Sequence, residues 1–295
     1  MVVVTFSGST WRWNSSKVIA LWTVFGLTLI LYVIQQTFAI FTTPEGRLFP
    51  GHFTKSRTLL LLYFSTAGSA SAMAVSIYYV PLFFQFTRGD TALEAAVRLL
   101  PFITIFVFFV MFAGGLLPVF GRYAPWYFPA SVLMIIGAAF MYRVSPYTHA
   151  SAIYGFEVLI AVGVGLIFQT GYSVAAAKVD PSDVSNTIGF INVAQIGSIA
   201  IALSICGALF QNLGFRHLSE TLASYGFSED VLRSALAGLD SVVLNKEGDV
   251  VRNIAIGAIV HTIDQLYALV LAAGVLIFAC ACFMKWEKLE LEKVG

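Results

Sequence analysis

Of 295 residues, 58% are apolar and only 11% charged, with a mean hydropathy of +0.84 and a net charge of +1, against roughly 45–50% and 25% in a soluble domain. That surplus excludes an ordinary water-soluble fold. The lack of clustered Lys and Arg excludes a nucleic-acid partner, since phosphate binding needs a basic field, and leaves the lipid bilayer as the partner of the chain.

Residues 1–17 lack the apolar core of a signal peptide and carry Trp11 and Trp13, so they read as an outer loop resting on the membrane interface. Asn14-Ser15-Ser16 in this loop matches a glycosylation acceptor. A helix rising about 1.5 Å per residue crosses a hydrocarbon core of about 30 Å in roughly 20 residues, and uncharged runs near that length define the spans. They are Val18 to Phe41, Leu59 to Phe86, Leu99 to Phe120, Trp126 to Tyr142, Ser151 to Tyr172, Ile188 to Phe210 and Ala255 to Met284. The fold class expected is all-α, a polytopic transmembrane helix bundle of about seven spans. Most connections are short, which makes neighbours antiparallel; the exceptions are the inner loop 42–58 and the outer loop 211–254. Within the latter, Ser228 is positioned to cap a helix with Val231, Leu232, Ala235, Leu236 and Leu239 on one face. That face is expected on the membrane surface or on the bundle. Residues 285–295 form a tail.

Lys and Arg beside spans favour the cytoplasmic side. Arg47, Lys55, Arg57, Arg122, Lys178, Lys285, Lys288 and Lys293 lie on one side, against Arg12, Lys17, Arg88, Arg98 and Arg143 in short segments on the other, with four more in the long outer loop. This bias places the carboxy terminus in the cytoplasm and the amino terminus outside. Cys206, Cys280 and Cys282 sit in apolar blocks and read as small buried hydrophobes, not as a disulfide framework. Cys280 and Cys282, beside Lys285, are also a candidate acylation site.

The sequence contains no GxxxxGK[ST], HExxH, GxSxG or CxxC motif, so the residues point away from an enzyme, a metal centre or an ATP-driven domain. The spans instead hold small residues at helix-packing spacing: Ser65, Ser69, Ala72 and Ser76; Gly155, Gly163, Gly165 and Gly171; Gly189, Gly197, Ala200, Ser204 and Gly207. Pro81, Pro101, Pro118 and Pro129 favour kinks.

The segment Tyr78-Tyr79-Val80-Pro81-Leu82-Phe83-Phe84-Gln85, followed by Gly89-Asp90-Thr91-Ala92-Leu93-Glu94-Ala95-Ala96-Val97-Arg98-Leu99-Leu100-Pro101-Phe102, resembles the major facilitator superfamily, specifically the fourteen-span drug:proton antiporters of fungi. Gly121-Arg122-Tyr123-Ala124-Pro125-Trp126, Tyr154-Gly155-Phe156-Glu157, Gly163-Val164-Gly165, Phe168-Gln169 and Val193-Ala194-Gln195-Ile196-Gly197 extend the resemblance over nearly the whole chain. The resemblance implies an extra linker helix at 18–41 and a six-helix carboxy-terminal transporter domain at 59–284, itself two inverted three-helix repeats. It implies efflux of small hydrophobic, drug- or toxin-like molecules, with no cofactor and the proton gradient as energy source. The plasma membrane is the expected location, with vacuolar or vesicle membranes as alternatives. The amino-terminal half of such a transporter is absent from this sequence, so a truncated chain is expected, needing that half or a second copy as partner. A seven-span receptor and an inactive or regulatory half-transporter are the alternative readings.

Candidate substrate-path residues follow from polarity inside spans. Glu157 is an intramembrane carboxyl, either titrating, steering a substrate or bonding a neighbouring helix. Gln169, read as buried in the fifth span, and Asn192 and Gln195, one turn apart on the sixth, suit hydrogen bonds to a ligand or between helices. Tyr78, Tyr79, Phe83 and Phe84, ahead of Gln85, suit a greasy ligand route or an interfacial aromatic belt. Arg122 resembles a gating-loop arginine, with positive-inside anchoring as its simpler role. His261 and Asp264 are expected to mark the water interface.

Overall fold

The computed structural model describes residues 14–38, 40, 51–238, 242–245 and 248–288. The Trp11/Trp13 loop, Arg12, Arg47, Leu239 and Lys293 lie outside the described residues. Seven helical spans among the described residues are long and apolar enough to cross a membrane, each falling on one of the seven expected blocks.

The first, α1 (Ser16–Phe38), is exposed along nearly its whole length, as expected of a helix solvated by lipid. The bundle begins with α2 (Arg57–Arg88). The Ser56 side chain accepts from the Leu59 amide at its start, and Gly89, at φ 69°, ends it in the left-handed conformation that glycine adopts without a Cβ clash. The Thr91-Ala-Leu-Glu94 sequence then forms a capping box that starts the short α3 (Ala92–Val97). α4 (Leu100–Phe120) stops at a second left-handed glycine, Gly121, and the chain returns as α5 (Ala124–Met141) and α6 (Ala150–Ile167). α6 breaks at Phe168–Gln169 and resumes as α7 (Thr170–Ala176). α8 (Val184–Thr221), the small helices α9 (Glu229–Ala237) and α10 (Val242–Asn245), and α11 (Asp249–Phe283) complete the fold.

Two helices outrun the hydropathy reading. α8 continues past Phe210 to Thr221 and α11 begins at Asp249 rather than Ala255, so the outer loop narrows to 222–248. Polar residues end an apolar run without ending a helix that has a neighbour. His217 Nδ1 meets Thr262 Oγ1 at 3.0 Å, and the His217 and His261 rings lie 4.9 Å apart across α8 and α11. At about 1.5 Å per residue α8 is about 57 Å long, well beyond the hydrocarbon thickness. His261 and Asp264, expected at the interface, lie more than three turns into α11 and are joined at 3.3 Å. α9 settles against this extension: Leu232, Ala235 and Leu236 are buried, and Leu236 occupies the space a Cβ on Gly214 would need. Ser228 sits at the cap position of α9, but its side chain makes no capping bond.

α2 is the central helix, packed against α11, α8 and α6, while α5 packs on α6 and α11 and α4 on α6. Ser65, Ser69, Ala72 and Ser76 of α2 are buried at these contacts. The α5–α6 contact brings backbones together: an added Cβ on Gly137 would lie 2.8 Å from Phe156 O, and one on Gly163 2.5 Å from Ala130 O. By contrast, Gly155, Gly189, Gly197 and Gly207 face nothing within 4 Å, so the glycines of α8 are not the close-packing stripe that their spacing suggests. The cysteines divide as well. Cys206 and Cys280 are buried, but Cys282 is exposed, because its position on α11 turns away from the bundle.

Ties hold both ends. At the end holding the α4–α5 turn, Arg57 Nη2 donates to Phe283 O at 3.0 Å and Lys178 Nζ donates to Glu287 Oε1 at 2.8 Å. That bond from Lys178 holds the Glu287 carboxyl below the ordinary carboxylate range. At the opposite end Arg88 Nη2 donates to Thr148 O at 2.8 Å, and Arg98 pairs with Asp90 while donating to Tyr154 OH at 3.1 Å.

Candidate functional site

The break between α6 and α7 organises the polar groups nearby. In an uninterrupted helix the Tyr172 amide would bond the carbonyl of Phe168. Here it turns to Gln169 O at 3.1 Å, and the side-chain amide of Gln195, on α8, donates to the freed Phe168 carbonyl at 3.3 Å. Non-helical backbone inside a membrane bundle is tolerated where a side chain or cavity satisfies it. Tyr172 closes the cluster: its hydroxyl lies 2.9 Å from Gln195 Oε1 and 3.3 Å from Asn192 Oδ1. Asn192 is exposed, and its amide nitrogen makes no bond among the described residues, leaving donors open to a ligand.

Asn192 opens into a groove of about 500 Å³ that it lines with Gly189, Val193, Ile196 and Gly197. Asn192, Ile196, Leu203, Gly207 and Phe210 share one side of α8 at helical spacing. The same side leads to a second groove of about 410 Å³ bounded by Tyr78, Tyr79, Leu203, Gly207 and Phe210. The glycines of α8 that touch nothing lie in these two grooves, where they leave room for a ligand instead of a helix. Among the described residues no charged side chain lines either groove. The surface is therefore suited to an uncharged ligand with an apolar body and one or two hydrogen-bonding groups.

The remaining sequence candidates are dispersed. Tyr78 is 58% exposed, whereas Tyr79, Phe83 and Phe84 are no more than 1% exposed, so an interfacial belt describes only the first. Hydropathy cannot separate these because α2 is covered on nearly all sides. Gln85 is half-buried, one turn before the end of α2. Gln169, expected inside the span, is exposed, because the helix break turns it out of the bundle. Glu157 is 2% exposed and lines none of these grooves; it sits in the core with Tyr267 OH donating to its Oε1 at 3.2 Å. Arg122 is exposed in the turn between α4 and α5 and has no partner among the described residues. Sequence reasoning missed Tyr172 and Tyr267. The signal for the first was the polar pair Gln169-Thr170 and Gly171 interrupting an apolar span; nothing local marks the second.

These features define a multi-pass integral membrane protein, an all-α bundle of seven long apolar helices that matches half of a major facilitator-type fold and carries a neutral groove along α8. A bacterial homologue of the human lysosomal transporter Spinster, solved inward-facing and unoccupied, shares the fold with a TM-score of 0.58 at 16% identity, over 78% of this chain and 48% of that one. No family model matches the chain. In sequence it is similar to the efflux pump patC of Aspergillus clavatus, 36% identical over 288 residues, covering 98% of this chain and 52% of the pump. It is also similar to the MFS-type transporter patC of Penicillium expansum, 35% identical over 284 residues, covering 96% and 52%. A third relative, the efflux pump DEP3 of Alternaria brassicicola, is 34% identical over 280 residues, covering 95% and 49%. The chain thus spans about half the length of the curated relatives it matches.

Proposed function

We propose that this chain forms the carboxy-terminal half of a fungal fourteen-span transporter that exports small, hydrophobic molecules in exchange for protons. The observation that carries the reading is the two-part groove along α8, lined among the described residues by uncharged side chains and bordered at one end by Leu236 and Ala237 of α9, in a sequence similar along its length to half of proteins named as efflux pumps. In this reading residues 18–41 are a linker helix, residues 59–284 the six-helix domain, and the missing amino-terminal half closes the groove. The relatives are pumps and transporters, which weighs against a receptor.

An apolar molecule enters beside Asn192 and Gln195, leaves past Tyr78 and Tyr79, and is held by contact area plus hydrogen bonds to the Asn192 amide. The Gln195–Phe168 bond makes the same site a hinge: the α6–α7 break is held by a side chain that also borders the ligand. Arg122 then engages acidic groups of the missing half when the cytoplasmic side closes. The Lys and Arg excess, counted without the long outer loop, supports a cytoplasmic carboxy terminus, and the plasma membrane is the location this reading assigns.

The test joins the chain to its upstream coding sequence and assays inside-out vesicles for accumulation of apolar fluorescent compounds under a proton gradient. Accumulation that collapses with the gradient and weakens in Asn192→Leu is expected; no movement of any compound by the complete protein would refute efflux.

A further inference from the structure

Glu157 lies outside the groove, yet its surroundings are not those of a residue that only fastens helices together. Its side chain is nine-tenths or more buried, one carboxyl oxygen accepts from Tyr267, and the other, Oε2, is buried with no partner. A carboxyl retained purely as an interhelical tie would have both oxygens satisfied, because an unpaired buried acceptor is costly. Among the described residues no Lys, Arg or His pairs with it. α11 faces it with Tyr267, behind which lie Ser76 of α2 and Cys206 of α8, with Tyr79 beyond. α5 presents Phe140 and Gly137 to this part of α6.

One helical turn away, Tyr154 stands three residues before Glu157 on the same side of α6, a rise of about 4.5 Å. Tyr154 borders a pocket of about 490 Å³ at the end of the bundle that holds the α3–α4 turn, together with Asp90, Glu94 and Arg98. Arg98 bridges Asp90 and Tyr154 and lies 4.6 Å over the Phe84 ring, which packs 5.7 Å from Tyr154. These groups form a polar cluster at the pocket, one helical turn along α6 from the buried carboxyl.

We propose that Glu157 is a proton-binding site in the core of this half, loaded from the Arg98–Tyr154 pocket, an assignment that rests on the proton-coupled reading above. The step is a simple protonation: a water in the pocket delivers one proton to Oε2, converting carboxylate to neutral acid while Tyr267 keeps its bond to Oε1. Release toward the other face regenerates the carboxylate. Loss of the buried charge changes how α6 sits against α11, and the same helix ends at the Phe168 break that Gln195 holds.

The test uses the full chain in lipid nanodiscs. Difference infrared spectra between about pH 8 and about pH 5, a range starting near ordinary carboxyl values, read the carbonyl band of a neutral carboxyl. The expected band shifts in heavy water, is missing in Glu157→Gln, and moves to higher frequency in Tyr267→Phe, which keeps the carboxyl and removes its donor. A second measurement needs no variant: dicyclohexylcarbodiimide, an apolar reagent for neutral carboxyls, should modify Glu157 about tenfold faster at the lower pH, as mapped by mass spectrometry. A band that survives Glu157→Gln, or a modification rate indifferent to pH, overturns the site. Neither readout involves transport. A titrating Glu157 in a complete protein that moves no compound retains the site and sinks efflux, whereas proton-driven transport unchanged by Glu157→Gln sinks the site and retains efflux.

Discussion

The α5–α6 contact makes the sharpest stability prediction, because two glycines on one helix differ only in what surrounds them. A Cβ on Gly163 would lie 2.5 Å from both Ala130 O and Met134 Cγ and 3.2 Å from Met134 N. That is roughly 1 Å inside ordinary contact distances of about 3.5–4.0 Å. Met134 Cγ can move with its side chain, but Ala130 O and Met134 N are backbone of α5, so the helices themselves must separate. Gly163→Ala is therefore expected to destabilise the fold by about 1–3 kcal/mol, the usual cost of overpacking, or roughly 5- to 150-fold in the folding equilibrium. Gly155, two turns earlier, meets nothing within 4 Å. Gly155→Ala should be neutral or stabilising by up to about 1 kcal/mol, the difference in helix propensity between the two residues. The assay is unfolding of purified chain in mixed micelles by added dodecyl sulfate, followed by circular dichroism. Equal midpoints for the two variants would refute the argument that α5 and α6 touch backbone to backbone.

Gln195→Leu should leave the Phe168 carbonyl without its donor, costing about 0.6 kcal/mol and at most about 1.7 kcal/mol, with faster hydrogen exchange confined to α7; unchanged exchange there would mean the break does not depend on Gln195. A membrane-permeant maleimide should label Cys282 and spare Cys206 and Cys280 in the folded chain, because only Cys282 is exposed; rapid labelling of Cys206 would contradict the α8 packing. The Lys178–Glu287 tie is pH-dependent. Because the Lys178 bond depresses the Glu287 carboxyl below its ordinary 4.5, the tie contributes fully above that value and is lost as pH falls through the depressed one. Protease cleavage after residue 284 should accelerate only in acid, and in Lys178→Met it should be fast throughout; acid-insensitive cleavage in the wild type would argue against the tie.

Much of the architecture follows from local sequence alone. A block of about twenty uncharged apolar residues has one low-energy arrangement in a bilayer, since its backbone must bond within the helix, and Gly89, Gly121 and the Thr91–Glu94 box mark boundaries through their own conformational preferences. The composition likewise excluded a soluble fold before any contact was known. The polar candidates Asn192 and Gln195 were legible because uncharged amides stand out in an apolar helix. Their link through Tyr172 to a broken helix was not, because a break depends on another helix supplying the donor that the freed carbonyl requires. The same reason explains why α8 runs on to Thr221 against α11, why Gly163 is a contact while Gly207 lines a groove, and why Glu157 lies in the core beside Tyr267 although nothing near it in sequence says so. Periodicity fixes which residues share a face. Only the assembled neighbours decide whether that face meets lipid, a groove or another backbone.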